Sequence, residues 1–364
     1  MELMQANRQW ATRPDDERFL SLIEMQDHFA RMRSLSREKV VASRQLSVQP
    51  AADDEMHGLV LVGPNGGAYA PTNWSFGQLA QLADKAPASY LRRLPAPLAA
   101  DCINYGLKVL RDVEDVGVLI CKDGAPTLKA ATGPRYGRIW NSDIVSSLVD
   151  RIGDGVTGDW RVPGEFGKAV QVTRANTTLY AGDRDMFIFL ADEQNRIEIP
   201  NRRNGRTGSL ARGFFIWNSE VGSKTFGLGT FLFDYVCCNR IVWGASEYKE
   251  ITIRHTPSAP VRWFDEMAPA IAHYSKSSAI NVVNAIRDAQ DARIQSDVAE
   301  FMQNRFGKKI GQKMMEVHMA EEGRPVETLW DATTAATAYA RTLPFQDARV
   351  EIETKAGELI DLAA

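Results

Sequence analysis

The chain has 364 residues, which is long for one compact domain and fits two domains or one elaborated domain. Hydrophobic residues make up 44% and charged residues 24%, so the chain can bury a core and disorder is excluded as its default state. The 43 basic and 46 acidic residues leave a net charge of −3, which excludes a global basic field, so any nucleic-acid binding must use local patches.

The sequence indicates a cytoplasmic protein without a membrane partner. No apolar run approaches the ~20 residues that a membrane helix needs, and the first 16 residues lack the apolar stretch of a signal peptide. No two of the five histidines have the spacing of a local metal pair, so neither a metal nor a cofactor is expected. We expect four buried, unpaired cysteines, as in a reducing compartment: Cys102, Cys121, Cys237 and Cys238.

Residues 1–56 are predicted to form a polar N-terminal segment. Apolar residues recur at helical spacing over residues 19–32, which predicts a short amphipathic helix. The stretch 43–56 contains Pro50 and an acidic run, and it is interpreted as a linker to the next domain.

Residues 57–256 are predicted to form an α+β core. A strand at 59–62 precedes one helix carrying Phe76 and a second helix over 97–110. Short β-rich runs with turn signals then follow, with one helical insert at 141–152, and closely spaced strands without intervening helices predict an antiparallel sheet. These runs are 116–121, 127–132, 169–173, 186–190, 196–199, 213–218, 225–236 and 248–255.

Residues 257–364 are predicted to be helical. Apolar residues at helical spacing predict one long helix over 261–305, followed by helices near 310–320 and 326–342. Strands bracketed by helices, without βαβ alternation, predict an α+β fold with a mainly antiparallel sheet flanked by helices.

Five strings together resemble a phage- and plasmid-like family known as "domain of unknown function 932", and the resemblance runs from about residue 73 to residue 255. The resemblance implies a mobile-element setting with a tie to DNA processing. It carries over no catalytic residue, and Arg240 stands where the family is expected to have Gly. The strings are Ser75-Phe76-Gly77-Gln78-Leu79, Arg135-Tyr136-Gly137-Arg138-Ile139-Trp140, Asn218-Ser219-Glu220-Val221-Gly222, Val236-Cys237-Cys238-Asn239 and Arg254-His255.

An arginine-rich stretch between residues 196 and 212 suggests a binding site for single-stranded nucleic acid. Asn204-Gly205 predicts a turn, which should place Arg202, Arg203 and Arg206 at an exposed tip. The aromatic run 214–217 follows, and single-strand binders combine cations along the backbone with aromatic faces that stack bases. The alternative is a solvated loop whose aromatic residues lie in the core.

Two smaller basic clusters and one polar cluster are further candidates. Lys309 and Lys313 share a helix face, and two arginines flank an aromatic residue in Arg135, Tyr136 and Arg138. The alternative for the lysine pair is a solvated face. The arginine–tyrosine group suits a phosphate-and-base contact and equally suits a cation–π or salt-bridge brace. The candidate polar site comprises Glu220, Arg254 and His255.

Three functions remain open from the sequence. The first is a mobile-element protein that binds single-stranded nucleic acid, with strand annealing as one form of this function. The second is a protein-binding factor, without catalysis, that acts on a host defence protein. The third is an enzyme whose site assembles from distant residues, namely Arg138, Asp183, Glu220 and His255. A homo-oligomer is compatible with each of these functions.

Overall fold

The computed structural model describes residues 14–110, 114–163, 171–175, 177–202, 205–234, 239–241, 251–343 and 346–363. Strands β1–β15 span Arg18–Phe19, Ser36–Ala42, Ser47–Ala51, Asp54–Val62, Ala68–Pro71, Asp115–Cys121, Thr127–Thr132, Trp160–Arg161, Leu179–Ala181, Met186–Asp192, Ile197–Arg202, Arg206–Asn218, Phe226–Asp234, Asn239–Ile241 and Ile251–Ile253. Helices α1–α12 span Leu22–Leu35, Asn73–Leu82, Ala88–Leu91, Ala96–Tyr105, Asn141–Ile152, Ala259–Arg262, Ala268–Lys276, Ile280–Asp291, Val298–Phe306, Lys308–Glu322, Leu329–Arg341 and Gln346–Asp361.

The strands form two sheets. The larger sheet has the order β1-β9-β10-β12-β13-β14, with β8, β11 and β15 paired to β10, β12 and β13, and its paired strands are antiparallel. The smaller sheet has the order β2-β6-β7-β5-β4-β3 and contains one parallel pair, β5 with β7. The predicted α+β fold, with a mainly antiparallel sheet and a helical C-terminal region, is confirmed.

The central strands of the larger sheet are buried on both faces. One face packs into a core with α1, α5 and α7, through residues such as Ile188 and Ile216. The other face carries an aromatic layer in which Phe189 stacks on Phe231 at 4.5 Å between ring centroids. Glycines make room for these rings, since a Cβ on Gly227 would lie 1.9 Å from the Trp217 ring. The aromatic run 214–217 is therefore core, as the alternative interpretation expected.

Three predictions about the β region differ from the structure. The strands at 115–132 do not join the larger sheet, because β6 pairs with β2 and β7, and β7 pairs with β5, all within the smaller sheet. The expected linker at 43–56 contains β3 and the start of β4, because Val48 and Leu61 are paired across these two strands and pack into the core of the smaller sheet. The domain boundary expected at residue 56 falls inside β4; the division itself stays a prediction. Residues 171–173, the described part of an expected strand, pair with no other strand.

The long helix predicted over 261–305 is broken into α6, a π-helical turn, α7, α8 and α9. After α8, the backbone turns aside to pair with residues 327–329: Leu329 N donates to Ala292 O at 3.0 Å, and Ile294 N donates to Glu327 O at 3.0 Å. The Asp297 side chain then accepts a hydrogen bond from Glu300 N and starts a new helix. Apolar residues have helical spacing on both sides of this break, because α8 and α9 each bury one apolar face.

Across the described residues, every helix is too short or too polar to traverse a lipid bilayer. Cys121 is buried and unpaired as expected, whereas Cys102 is exposed, because the opposite face of α4 packs on the smaller sheet. Cys237 and Cys238 lie outside the described residues.

Candidate functional site

Four of the five family-like strings meet where the two sheets come together. Gln78 of α2 donates through Nε2 to Val221 O at 2.7 Å and accepts from Ala131 N of β7 at 3.0 Å. Asn218 at the end of β12 donates to Ile139 O at 2.8 Å. Residues about 140 positions apart are thus tied into one polar cluster, while the string around Cys237 lies outside the described residues.

Arg138 lies at the centre of this cluster. Its side chain is only 1% exposed, and Nη2 donates to Glu38 Oε1 of β2 at 2.8 Å. The guanidinium carbon lies 5.0 Å from the Tyr136 ring centroid and 5.6 Å from that of Trp140. Its Nε and Nη1 are buried and donate to no acceptor among the described residues. A buried cation with two open donors is suited to an anionic oxygen.

Tyr136 and His255 form a stacked pair beside Arg138, with ring centroids 4.7 Å apart. Tyr136 donates its hydroxyl proton to Ser219 O at 2.7 Å, and burial raises the pKa of that hydroxyl. His255 Nδ1 donates to Gly137 O at 3.0 Å, and Gly137 N donates back to His255 O at 3.0 Å. The pair therefore braces residues 136–138 against the segment after β15.

Burial of the imidazole, aided by the Arg138 charge and opposed by backbone carbonyls, lowers the pKa of His255 to about 4. In the unfolded chain the pKa is about 6.5, so between these values the unfolded chain takes up a proton that the folded chain does not. The free energy of unfolding should therefore decrease as the pH falls from about 6.5 to 4. The ideal loss is about 3 kcal/mol, and partial exposure of the ring reduces it to about 2 kcal/mol.

Denaturant unfolding at neutral pH and at about pH 4.5 should reveal this dependence. The His255→Gln variant should lose less stability on acidification than the parent chain, and the difference isolates His255 from the other histidines. Equal acid sensitivity of the two proteins would show that His255 titrates normally.

Glu220 caps the N-terminus of α5. Its Oε1 accepts from Asn141 N at 2.7 Å, where the helix dipole favours a negative charge. Burial raises the pKa of the Glu220 carboxyl against this hydrogen bond and against Arg138, Lys129 and Arg33. Glu220 and Asp183 line a cavity of about 40 Å³, which has room for a few water molecules but not for a nucleotide base.

Arg33, in the last turn of α1, was missed by the sequence interpretation. Its guanidinium carbon lies 3.4 Å from the ring centroid of Trp140, so the exposed Arg33 side chain stacks on the indole. Glu38 was missed as well. No local pattern marks either residue, because each is about 100 positions from Arg138 and Trp140 in sequence. We use "the Trp140 surface" for Arg33, Lys129, Arg135 and Tyr136, with the buried side chains of Trp140 and Arg138 beneath them.

The arginine-rich hairpin differs from the prediction. Arg202 is 1% exposed, because its Nη2 and Nε donate to Glu322 Oε1 of α10 at 2.8 and 3.1 Å. Arg212 is also buried and pairs with Asp192 at 2.9 Å. The expected exposed tip is therefore wrong for Arg202. Arg203 lies outside the described residues, as does the side chain of Arg206.

The remaining candidates lie at separate places. Lys309 and Lys313 are exposed on α10, far along the chain from the polar cluster. Arg135 and Arg254 are exposed beside Tyr136 and His255 respectively, whose side chains belong to the cluster. The structure thus brings together Arg138, Tyr136, Glu220 and His255, and it leaves the lysine pair apart.

The protonation states of Tyr136 and His255 follow from the shifts of their pKa values. Tyr136 stays protonated and His255 stays neutral around pH 7, given the pKa shifts described above. Within the described ranges, no three His, Cys, Asp or Glu side chains are grouped to hold a metal ion.

Comparison with protein-family models, with curated proteins and with solved structures found no match to this chain.

Proposed function

We propose that this chain binds single-stranded nucleic acid at the Trp140 surface. The stacking of Arg33 on Trp140, at 3.4 Å, supports this proposal most directly. An exposed guanidinium already packed on one aromatic ring presents its outer face to a base, and both aromatic and guanidinium planes stack bases in single-strand binders. Prestacking also means that the side chain loses less conformational freedom on binding.

Cations around this stack would contact the phosphate backbone. Arg135 is exposed and Lys129 is half-buried, whereas Arg138 is buried beneath them and adds positive charge without direct contact to the strand. Three carboxylates lie close by and oppose an anionic ligand: Glu38, Asp143 and Glu220. The positive charge is therefore local and modest, in keeping with the net charge of −3. We expect weak binding, with an affinity that falls with salt concentration less steeply than that of a strongly basic protein.

The test is fluorescence anisotropy of a labelled oligo-dT strand titrated with the protein at several salt concentrations. The double variant Arg33→Ala/Arg135→Ala should bind about 10- to 100-fold more weakly, since loss of one stacked base costs about 1–3 kcal/mol. The slope of log affinity against log salt should shrink by about 0.7, which is the one phosphate contact that Arg135 provides. Arg135 is exposed, and Arg33 loses only an exposed cation–π contact worth about 0.5–1 kcal/mol, so the melting temperature should change little.

The matched control is Lys309→Ala/Lys313→Ala, which removes the same number of exposed charges elsewhere on the chain. It should bind like the parent chain. A loss confined to this control would move the site to α10, and no binding at low salt would remove the proposal.

The alternative functions have their own tests. If the chain does not bind the strand, capture of one host protein, resistant to nuclease treatment, would favour the protein-binding alternative. An enzymatic activity of the parent chain that Glu220→Gln abolishes would favour the enzyme alternative. Strand annealing is tested separately, by mixing complementary strands with the protein.

A further inference from the structure

Helix α4 and the π-helical turn that continues it, Gly106–Leu110, are apolar on two opposite faces. One face packs on the smaller sheet through Ala100, Ile103 and Leu107. The other face is in solvent: Leu98 is 50% exposed, Tyr105 56% and Val109 61%, and Cys102 is exposed between them. A helix with apolar residues on two opposite faces normally buries both, so this outer face is suited to a protein partner.

The outer face forms a continuous stripe. Leu98, Cys102, Tyr105 and Val109 follow one another at spacings of four, three and four residues, which is the seam of a helix that packs on another helix. The sequence predicted a helix over 97–110, but it did not distinguish the buried face from the exposed one. The stripe is about 16 Å long at 1.5 Å per residue.

We propose that a second copy of this chain covers the stripe, with the two α4 helices antiparallel across a two-fold axis. The apolar residues are arranged symmetrically about a point between residues 103 and 104. An antiparallel copy centred there places Leu98 against the partner's Val109 and Cys102 against the partner's Tyr105. The stripe is thus its own complement, which is what an isologous interface requires.

The charges beside the stripe are self-complementary as well. Asp101 and Lys108 are exposed, and a separation of seven residues puts them on the same flank of the helix. In an antiparallel pair related by a two-fold axis, equal flanks face each other, so Asp101 lies beside the partner's Lys108 and Lys108 beside the partner's Asp101. A foreign partner would need to match both the spacing and the charge order that the chain itself already provides.

A charge exchange tests the interface on the full chain. Sedimentation velocity over about 1–100 μM should show a concentration-dependent dimer, as expected for a contact of modest area. Asp101→Lys should weaken the dimer at least 10-fold, since it places two like charges side by side. The double variant Asp101→Lys/Lys108→Asp should restore it. A monomer at every concentration, or a double variant that stays as weak as the single one, would overturn the proposal.

Crosslinking at Cys102 identifies the surface independently. A short bis-maleimide should join two copies through Cys102, which lies close to the proposed axis, and Cys102→Ser should abolish the product. A dimer in sedimentation that does not crosslink through Cys102 would locate the contact elsewhere and contradict the proposal. The proposal does not depend on nucleic-acid binding, because the oligo-dT strand is absent from both measurements.

Discussion

Replacing Arg202 by Met should lower the free energy of unfolding by about 3–5 kcal/mol. The Arg202 and Glu322 side chains are 1% and 2% exposed, and both Nε and Nη2 of Arg202 donate to Glu322 Oε1. Removing the guanidinium leaves a buried carboxylate whose other oxygen, Oε2, accepts no hydrogen bond among the described residues. An uncompensated buried charge is among the largest single-site penalties in a folded protein. Denaturant unfolding monitored by tryptophan fluorescence measures the effect.

An exposed arginine–glutamate pair provides the matched control. Arg262 and Glu266 make the same contact at the same distance, with Nη2 2.8 Å from Oε2, but their side chains are 42% and 50% exposed. Arg262→Met should leave stability unchanged within error, because water replaces the lost partner. The double variant Arg202→Met/Glu322→Leu should recover most of the stability, since a buried pair replaced by apolar residues is close to neutral. Equal effects of the two arginine substitutions would show that Arg202 is not buried in a critical pair.

The Arg202–Glu322 pair also joins the hairpin of β11 and β12 to the C-terminal helices. The Arg202 guanidinium lies 5.8 Å from the Trp330 ring of α11. His318 and Asp331 lie close by, and burial lowers the pKa of His318. The arginine that the sequence suggested for phosphate binding instead fastens two parts of the fold together.

The strands of the larger sheet were predictable because their signal is local. A continuous apolar run such as 186–190 is buried either as a strand or as part of a helix. The turn signals on both sides of these short runs favour strands. Asp183 and Gly205 indeed lie in the connections of β9 with β10 and of β11 with β12. The pairing of β2 with β6 was not predictable, because no local pattern links residues 80 positions apart.

The difference between a binding arginine and a buried one was not predictable either. The residues around Arg202 and Arg212 in the sequence are those of a solvated, charged loop. Their partners, Glu322 and Asp192, lie 120 and 20 residues away. Pattern analysis favours exposure because buried charges are rare. In contrast, Arg138, Glu220 and His255 were found through strings of the family resemblance, although nothing in the spacing shows that they meet. Arg33 belongs to no such string and was found only in three dimensions.

Substituting Gly137 by Ala should disturb the cluster around Arg138 more than substituting any exposed residue would. A Cβ at this position would lie 1.8 Å from the carbonyl oxygen of Thr256, which is backbone and cannot rotate away. The two hydrogen bonds between Gly137 and His255 hold these segments at this distance. We expect a cost at or above the upper end of the about 1–3 kcal/mol typical of overpacking. Melting of the variant measures the cost.

Gly133→Ala is the control for this substitution, because Gly133 lies four residues earlier and a Cβ there meets no atom within 4 Å. It should keep the stability and the oligo-dT affinity of the parent chain. Gly137→Ala should also separate the Tyr136 and His255 rings, which would return the pKa of His255 toward about 6.5 in a proton NMR titration of the folded variant. A stable Gly137→Ala protein with the His255 pKa still near 4 would mean that the Thr256 backbone yields easily and that this close approach does not build the site.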